Sequence, residues 1–287
     1  MKSGADFEGR RMALGSGITL SVTSKGEGPP VVLLHGFPQN SYTWRKHLPS
    51  LADAGFRAIA PDMRGYGLSD KPKAVADYKT ERLVADVREL VHSLGYEKVH
   101  LVGHDWGGVV AFHVAAAHPE MIDRLVILNG PHPDVFMKSL FRSQKQRTRS
   151  WYVFLFQLPF LPERMLARKG ILERMLRFYG PGVFSKEDLA TYTSAVRKPG
   201  AARSMVNYYR AAARGYREIP VITRPTLVLW GEKDRALHPC LLDGLEKHVT
   251  NLTIKRFPDA THWLNEEKPG EVNGEMVRFL RAVGGDG

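Results

Sequence analysis

One aspartate of this 287-residue chain lies in a setting that suits a nucleophile. Asp105 is the third residue of the segment 103–108, GHDWGG, which follows an apolar run over 99–102 and precedes small residues over 109–117. A strand, a sharp glycine turn and a helix project one side chain above a sheet, as in the G-x-S-x-G nucleophile elbow, here with aspartate in place of serine. The alternative is an aspartate that caps the following helix. No G-x-S-x-G occurs elsewhere, so we expect Asp105 to attack carbon and form an ester with the protein.

Hydrolysis of such an ester requires a general base and an acid that orients the base. His262 is the candidate base, because it follows the last predicted strand and comes after every candidate acid, the chain order found with this elbow. Asp234 is the candidate acid, because it directly follows a predicted strand over 226–230. Asn129 ends an earlier strand but carries no charge that could hold an imidazolium. Asp259 lies only three residues before His262, a position typical of a turn former.

An oxyanion hole would use backbone N–H groups, so the sequence shows only its scaffold. The segment 35–38, HGFP, ends a predicted buried strand over 31–34. We expect this turn to lie beside the turn that carries Asp105. The N–H groups of Phe37 and Trp106 are the expected donors.

Short apolar strands separated by helices must position these residues. Helices are predicted over 83–94, over 109–117 and from Glu271 to Val283. The alternation predicts an α/β fold, with a mostly parallel sheet and helices on both of its faces. The predicted strands cover 31–34, 57–60, 99–102, 124–128, 226–230 and 252–255.

A long segment interrupts this alternation. Residues 132–219 read as a helical insertion with proline-marked breaks, within a core formed by 1–131 and 220–287. The insertion holds 14 of the 28 aromatic residues of the chain. No internal repeat or low-complexity segment accompanies it.

The net charge of +11 lies entirely on the insertion, which has 17 Lys and Arg against 6 Asp and Glu, whereas the rest has 24 of each. No zinc-finger spacing or RNA-binding aromatic motif accompanies this charge, which argues against nucleic acid as a partner. Two interpretations stay open. The basic face is a solvated surface that aids solubility, or it attracts an anionic substrate or a weakly bound anionic membrane surface.

The amino-acid composition indicates the broad class of protein to which the chain belongs. An apolar content of 43% over 287 residues is enough for a sizeable core and argues against disorder. The single cysteine, Cys240, excludes an internal disulfide and a zinc–cysteine cluster. The first residues include no apolar run of signal-peptide length, and no stretch approaches the roughly 20 apolar residues of a membrane span. We therefore predict a cytoplasmic protein with no transmembrane segment.

Several motifs together resemble those of the epoxide hydrolases of the α/β-hydrolase superfamily. The resemblance covers nearly the whole chain, and it implies an α/β-hydrolase core with the insertion as a helical cap (lid). The motifs are HGFP at 35–38, PDMRGYGLSD at 61–70, GHDWGG at 103–108, GEKD at 231–234 and THW at 261–263.

The resemblance implies two cap tyrosines that donate to the epoxide oxygen. The segment 151–159, WYVFLFQLP, gives Tyr152, and the segment 207–210, NYYR, gives Tyr209. Tyr208 adjoins Tyr209, and neighbouring helical positions face about 100° apart, so only one of them should point at the site. A phenol with a pKa of about 10 remains protonated at pH 7 and can stabilise a developing alkoxide.

The implied reaction converts a small-molecule epoxide and water to a vicinal diol, through a covalent ester on the aspartate. No cofactor or metal is implied. The substrate's size and stereochemistry, the ring carbon attacked and the oligomeric state stay open. An apolar slot between core and cap would hold the substrate. Its predicted contacts are Phe37, Pro38, Trp106, Trp151, Phe156 and Trp263.

Three other functions compete with this one. A haloalkane dehalogenase uses the same Asp–His–acid set, and Trp106 suits both enzymes, but many dehalogenases have asparagine where this chain has Phe37, and a halide has no use for two tyrosines. A fluoroacetate-type dehalogenase would carry arginines where Trp106 and Val109 stand. A non-catalytic ligand-binding relative is the third alternative, against which the complete set of Asp105, Asp234 and His262 argues.

Overall fold

An eight-stranded sheet lies at the centre of the computed structural model, which describes residues 9–282. The strand order is β1-β2-β4-β3-β5-β6-β7-β8, and the six strands from β4 to β8 in that order run parallel. The predicted α/β class with a mostly parallel sheet is confirmed. The strands are β1 (Arg10–Ala13), β2 (Thr19–Lys25), β3 (Pro30–Leu34), β4 (Arg57–Pro61), β5 (Val99–His104), β6 (Ile122–Leu128), β7 (Thr226–Gly231) and β8 (Leu252–Phe257).

Each of the six predicted strands is present, whereas β1 and β2 were not predicted. Both of these pair antiparallel at one edge of the sheet, β1 with β2 and β2 with β4. The predicted ends of the core, residues 1–8 and 283–287, lie outside the described residues, and so does Val283 at the end of the last predicted helix.

Helices cover both faces of the sheet. Within residues 9–282 they are α1 (His47–Asp53), α2 (Thr80–Ser93), α3 (Trp106–Ala117), α4 (Pro133–Arg142), α5 (Gln144–Arg149), α6 (Trp151–Leu155), α7 (Leu161–Ala167), α8 (Ile171–Tyr179), α9 (Lys186–Val196), α10 (Ala201–Gly215), α11 (Leu264–Glu267) and α12 (Pro269–Arg281). Seven of these, α4–α10, lie between β6 and β7 in the chain. None of the described helices combines the length and the apolarity needed to cross a bilayer.

Alternation along the strands divides the core into two layers. In β3, Val32 and Leu34 pack on the layer that includes α2 and α3, whereas Val31 and Leu33 pack on the layer that includes α1 and α12. All four are fully buried, as is usual for a parallel strand with helices on both faces. Burying one such side chain contributes about 1.5–3 kcal/mol to folding.

The sheet positions the candidate residues at one edge. The turns that follow β3, β5, β7 and β8 carry Phe37, Asp105, Asp234 and His262, in that order. These four strands run parallel and lie near each other in the sheet, so their carboxyl ends meet on one side of the molecule. Ligand sites of open α/β sheets lie at this edge.

Candidate active site

A strained turn presents Asp105 at the end of β5. Its backbone has φ 50° and ψ −118°, in the region that L-residues rarely adopt. The turn closes because glycine lies on either side. A Cβ on Gly103 would lie 2.4 Å from the carbonyl oxygen of Gly107, and one on Gly107 would lie 2.1 Å from that of Leu34. The glycines around Asp105 therefore permit an elbow that aims its carboxylate away from the sheet, and no side-chain cap to α3 forms.

His262 lies between two carboxylates. Its Nδ1 donates to Oδ2 of Asp234 at 2.7 Å, and its Nε2 faces Oδ2 of Asp105 at 3.7 Å. All three residues are buried, although they lie far apart in the chain. The structure thus brings together the predicted nucleophile, base and acid, with the imidazole held in the tautomer that leaves Nε2 facing Asp105.

Four donors hold the carboxylate of Asp234. Its Oδ1 accepts from the N–H groups of Ala236 and Leu237 at 2.7 and 2.8 Å. Its Oδ2 accepts from the amide of Asn129 at 2.9 Å as well as from His262. The carboxylate is therefore fixed in place while it is buried.

Two backbone N–H groups hold the carboxylate of Asp105. Phe37 donates to Oδ1 at 2.8 Å, and Trp106 also donates to the carboxylate. These are the two predicted oxyanion-hole residues. An ester formed through Oδ2 would leave Oδ1 as the carbonyl oxygen, facing the N–H of Phe37.

Burial and neighbouring charges oppose each other in this cluster. Burial raises the pKa of Asp105 above its usual value, although His262 and the two backbone donors act in the opposite direction. Burial alone would lower the pKa of His262, but the charges of Asp234 and Asp105 prevail and raise it. The pKa values of both groups are therefore raised above their usual values.

Tyr152 on α6 and Tyr209 on α10 lie over the same turn. The Tyr209 ring packs against Phe37, with ring centres 5.5 Å apart, and against Trp106 at 5.0 Å. The rings of Tyr152 and Tyr209 are 5.9 Å apart. Burial, with the charge of Asp105 as a further cause, raises the pKa of both phenols well above 10, so both are protonated at neutral pH.

Tyr208 points elsewhere, as the helical spacing of neighbours requires. Its hydroxyl donates to the carbonyl oxygen of Arg64 at 2.8 Å, and its ring packs against Tyr66 and Tyr78. It is fully buried, and it lines neither of the two cavities described below.

Comparison with known proteins identifies the family. Residues 29–269 match the family model described as the alpha/beta hydrolase fold. A Bacillus subtilis AB hydrolase superfamily protein, YfhM, is 39% identical over 93% of this chain and 96% of its own length. Epoxide hydrolase 3 of Xenopus tropicalis is 36% identical over 93% of this chain and 76% of its own length. The crystal structure of the Bacillus megaterium epoxide hydrolase with an inhibitor superposes with a TM-score of 0.87 at 32% identity, covering 94% of this chain and 99% of that one.

The chain belongs to the epoxide hydrolases of the α/β-hydrolase superfamily. The predicted family and the predicted hydrolase class are thereby confirmed.

Two cavities of this epoxide hydrolase family member meet at the candidate site. One has a volume of about 840 Å³ and the other of about 300 Å³. Asp105, Tyr152 and Tyr209 line both. Of the predicted substrate contacts, Trp106 lines the larger cavity, and Phe37, Pro38, Trp151, Phe156 and Trp263 line the smaller one.

Sequence reasoning missed two residues that position the α/β-hydrolase site. Asn129 was set aside as an acid, yet its amide holds Asp234, and its oxygen accepts from the N–H of Gly231 at 2.8 Å. The other residue is His104, the second residue of GHDWGG, to which sequence reasoning assigns no role. Its Nε2 lies 2.9 Å from the carbonyl oxygen of His262, and the two rings pack at 4.9 Å. Because burial lowers the pKa of His104 well below 6.5, this ring is neutral and donates to that oxygen.

Proposed function

We propose that this protein hydrolyses epoxides to vicinal diols through a covalent ester on Asp105. One observation carries the proposal: a buried carboxylate and two neutral phenols, Tyr152 and Tyr209, line the same two cavities. A ring carbon can then face the nucleophile while the ring oxygen faces the acids. The names of the relatives support this substrate class.

In the first step, Oδ2 of Asp105 attacks one ring carbon. The new C–O bond forms as the ring C–O bond breaks, and the electron pair moves to the ring oxygen. Tyr152 and Tyr209 donate to that oxygen as charge develops, and one of the two phenols transfers its proton to it and becomes a phenolate. Their raised pKa supports this role, because it keeps the phenols protonated until the alkoxide forms.

In the second step, Nε2 of His262 takes a proton from water, and the hydroxide attacks the ester carbonyl carbon. The negative charge develops on Oδ1 of Asp105, to which the N–H of Phe37 donates, and the N–H of Trp106 donates to the same carboxyl group. Collapse of this intermediate breaks the ester bond, and the imidazolium gives its proton to the departing diol oxygen. The carboxyl group of Asp105, which now contains one oxygen from water, gives its proton to the phenolate, so that the carboxylate and both phenols are restored.

Formation of the ester itself prepares His262 as a base. The charge of Asp105 is one of the causes that raise the pKa of His262 in the free protein. That charge disappears in the ester, so the pKa of His262 falls when a neutral imidazole is needed. Asp234 keeps its charge and stabilises the imidazolium during the proton transfer.

Within this proposal, residues 1–131 and 220–287 form the core and residues 132–219 form the cap. The seven helices between β6 and β7 support the division, since α6 and α10 carry the two tyrosines over the turn that carries Asp105. The proposed location, cytoplasmic, rests on the sequence alone.

A screen of epoxides against haloalkanes with product identification tests the proposal. We expect diols from epoxides and no halide release. Asp105→Ala should abolish turnover while it retains binding of the diol, which separates an enzyme from a non-catalytic binding protein. Halide release that survives Tyr152→Phe and Tyr209→Phe would favour the dehalogenase alternative instead.

Exposed apolar and basic side chains of the cap support the proposal that an anionic membrane is a binding partner. Eight of the ten large apolar side chains exposed within residues 9–282 lie between 141 and 178, and Phe141 and Phe160 are 77% and 72% exposed. The eight are Phe141, Trp151, Phe154, Leu158, Phe160, Leu161, Met165 and Phe178. Exposed basic side chains of the same segment are Arg142, Lys145, Arg147, Arg164, Arg168, Lys169, Arg174 and Arg177.

Both cavities adjoin this surface. Phe141 and Phe154 line the larger cavity, and Trp151, Met165 and Phe178 line the smaller one. Aromatic side chains with basic neighbours are typical of surfaces that enter the headgroup region of anionic bilayers. Docking of this surface would bring the cavities to where apolar epoxides dissolve.

Sedimentation with vesicles tests this docking. We expect binding to phosphatidylserine vesicles that weakens as salt rises, and little binding to phosphatidylcholine vesicles. Phe160→Ser should weaken binding, whereas Leu68→Ser, at an exposed apolar residue outside the cap, should not. Equal vesicle binding by these two variants would contradict docking through the apolar side chains of the cap. Vesicle binding that does not change with salt would leave the basic charge as a solubility feature.

A further inference from the structure

Three side chains that the proposed reaction does not use converge at the base of the cap. A ring nitrogen of His132, a carboxylate oxygen of Asp134 and a ring nitrogen of His248 lie within 4.8 Å of one another. Oδ2 of Asp134 faces Nδ1 of His248 at 3.5 Å. Two imidazoles and one carboxylate are a donor set that suits zinc and similar divalent ions.

One nitrogen of this cluster has no other partner. Nδ1 of His132 accepts from the N–H of Asp134 at 3.3 Å, which leaves Nε2. That atom is buried and makes no hydrogen bond, although His132 is only 1% exposed. A buried ring nitrogen without a partner is uncommon, because its desolvation is not compensated. Because Nδ1 accepts, the neutral ring carries its hydrogen on Nε2. A metal ion bound at Nε2 would replace that hydrogen, and the ring proton would move to Nδ1 at the cost of the long contact with the N–H of Asp134.

The cluster lies where the chain enters and leaves the cap. His132 and Asp134 begin the segment between β6 and β7. Asp134 also accepts from the hydroxyl of Tyr216 at 2.9 Å and from the N–H of Ile219 at 3.4 Å, so the end of that segment meets its start. His248 belongs to the core, where its carbonyl oxygen accepts from the N–H of Ile222.

We propose that His132, Asp134 and His248 bind one divalent transition-metal ion, with zinc as the best match, which fastens both ends of the cap to the core. The proposal does not depend on the proposed reaction. Tetrahedral zinc with bonds of about 2.0–2.1 Å holds its donors about 3.4 Å apart, so small side-chain rotations complete the site. The His248 side chain is 18% exposed, which gives the ion an entry path and a water as fourth ligand.

An ion bound at this cluster would stabilise one wall of the larger cavity. Pro131 and Pro133, which flank His132 in the sequence, line that cavity, and so does Ile219, whose N–H donates to Asp134. The ion would therefore fix one wall of the substrate space without touching Asp105.

Calorimetric titration of the untagged, chelator-treated protein with Zn²⁺ tests the proposal. We expect one ion per chain, a rise in Tm on binding, and the visible absorption of tetrahedral Co²⁺ when cobalt replaces zinc. His248→Asn should weaken binding at least tenfold and remove the rise in Tm. Because this side chain is partly exposed, the variant should fold, which circular dichroism checks.

Two matched variants locate the ion. His118→Asn alters a His–Glu pair away from the cluster, with a partly exposed His118 3.4 Å from Glu120, and should bind zinc like the unaltered protein. Asp105→Asn should also bind zinc normally, which separates this site from the proposed active site. The proposal is wrong if the protein takes up no zinc, if His248→Asn binds as well as the unaltered protein, or if either matched variant removes binding.

Discussion

The amide of Asn129 donates to Oδ2 of Asp234 at 2.9 Å, and that same oxygen accepts from Nδ1 of His262 at 2.7 Å. Asn129 ends β6 and Asp234 follows β7, so neighbouring parallel strands present an amide and a carboxylate to one imidazole. The uncharged Asn129 thus lies directly beside the charged Asp234.

This arrangement predicts that the acid can be moved between strands. Asp234→Asn should slow ester hydrolysis by about 10²–10⁴-fold, because the imidazolium loses its charge partner. The double variant Asn129→Asp with Asp234→Asn should recover about tenfold, or about 1.4 kcal/mol, since it exchanges the two groups. Single-turnover rates of ester breakdown measure both. A double variant no faster than Asp234→Asn would show that a carboxylate at position 129 cannot serve His262.

The pKa of His262 should depend on the state of Asp105. In the resting protein the carboxylate of Asp105 helps to raise that pKa, and in the ester it is neutral. Ester hydrolysis needs the neutral imidazole, so its rate should rise with pH, with a midpoint below the pKa of His262 in the resting protein. Histidine NMR titration of the resting protein gives the reference value. The variant Asp105→Asn should show a lowered pKa of His262, and an unchanged value would contradict this coupling.

The two adjacent tyrosines of α10 should have separate effects. Tyr209→Phe should slow ester formation by about 10²–10³-fold, because one donor to the developing alkoxide is lost. Tyr208→Phe should leave that rate nearly unchanged but lower the free energy of unfolding by about 1–3 kcal/mol, since the carbonyl oxygen of Arg64 loses a buried donor. Stopped-flow alkylation rates and urea unfolding distinguish them. The opposite pattern would assign the acid to Tyr208.

Removal of the base should stop the reaction after the first step. His262→Gln retains Asp105, Tyr152 and Tyr209, so it should form the ester and then stall. Intact-protein mass spectrometry should detect the added mass of one substrate. Asp105→Asn is the matched control and should show no added mass on incubation with the same epoxide. Turnover by His262→Gln at the normal rate would remove the imidazole from the mechanism.

Local patterns carry most of the information about this fold. The six predicted strands are short, largely apolar runs, most of them next to a glycine or proline turn, and all are present in the sheet. By contrast, β1 has the sequence RRMA and is mostly exposed, and β2 alternates Leu20 and Val22 with polar residues. These two strands exist because they pair along an edge, and the pairing of β2 with β4 joins segments that are distant in the chain.

The residues of the candidate site also fall into two groups: those that local sequence patterns identify and those that depend on distant contacts. Asp105 could be recognised because its turn needs glycines next to it in the sequence, and Asp234 and His262 because they follow strands. The contribution of Asn129 depends on a partner 105 residues away. The choice between Tyr208 and Tyr209 depends on the rotation of α10 against Tyr66 and Tyr78. Packing of distant segments decides both, and no local pattern encodes it.

Transfer of heavy oxygen tests the central claim most directly. A single turnover with excess protein in ¹⁸O-labelled water should leave the label in the carboxylate of Asp105, detected by mass spectrometry of the peptide that contains it, with an unlabelled diol. The reason is that water attacks the ester carbonyl carbon, while the diol receives its new oxygen from the carboxylate. Label in the diol after that first turnover, with none in Asp105, would contradict the account, because water would then have attacked the epoxide itself.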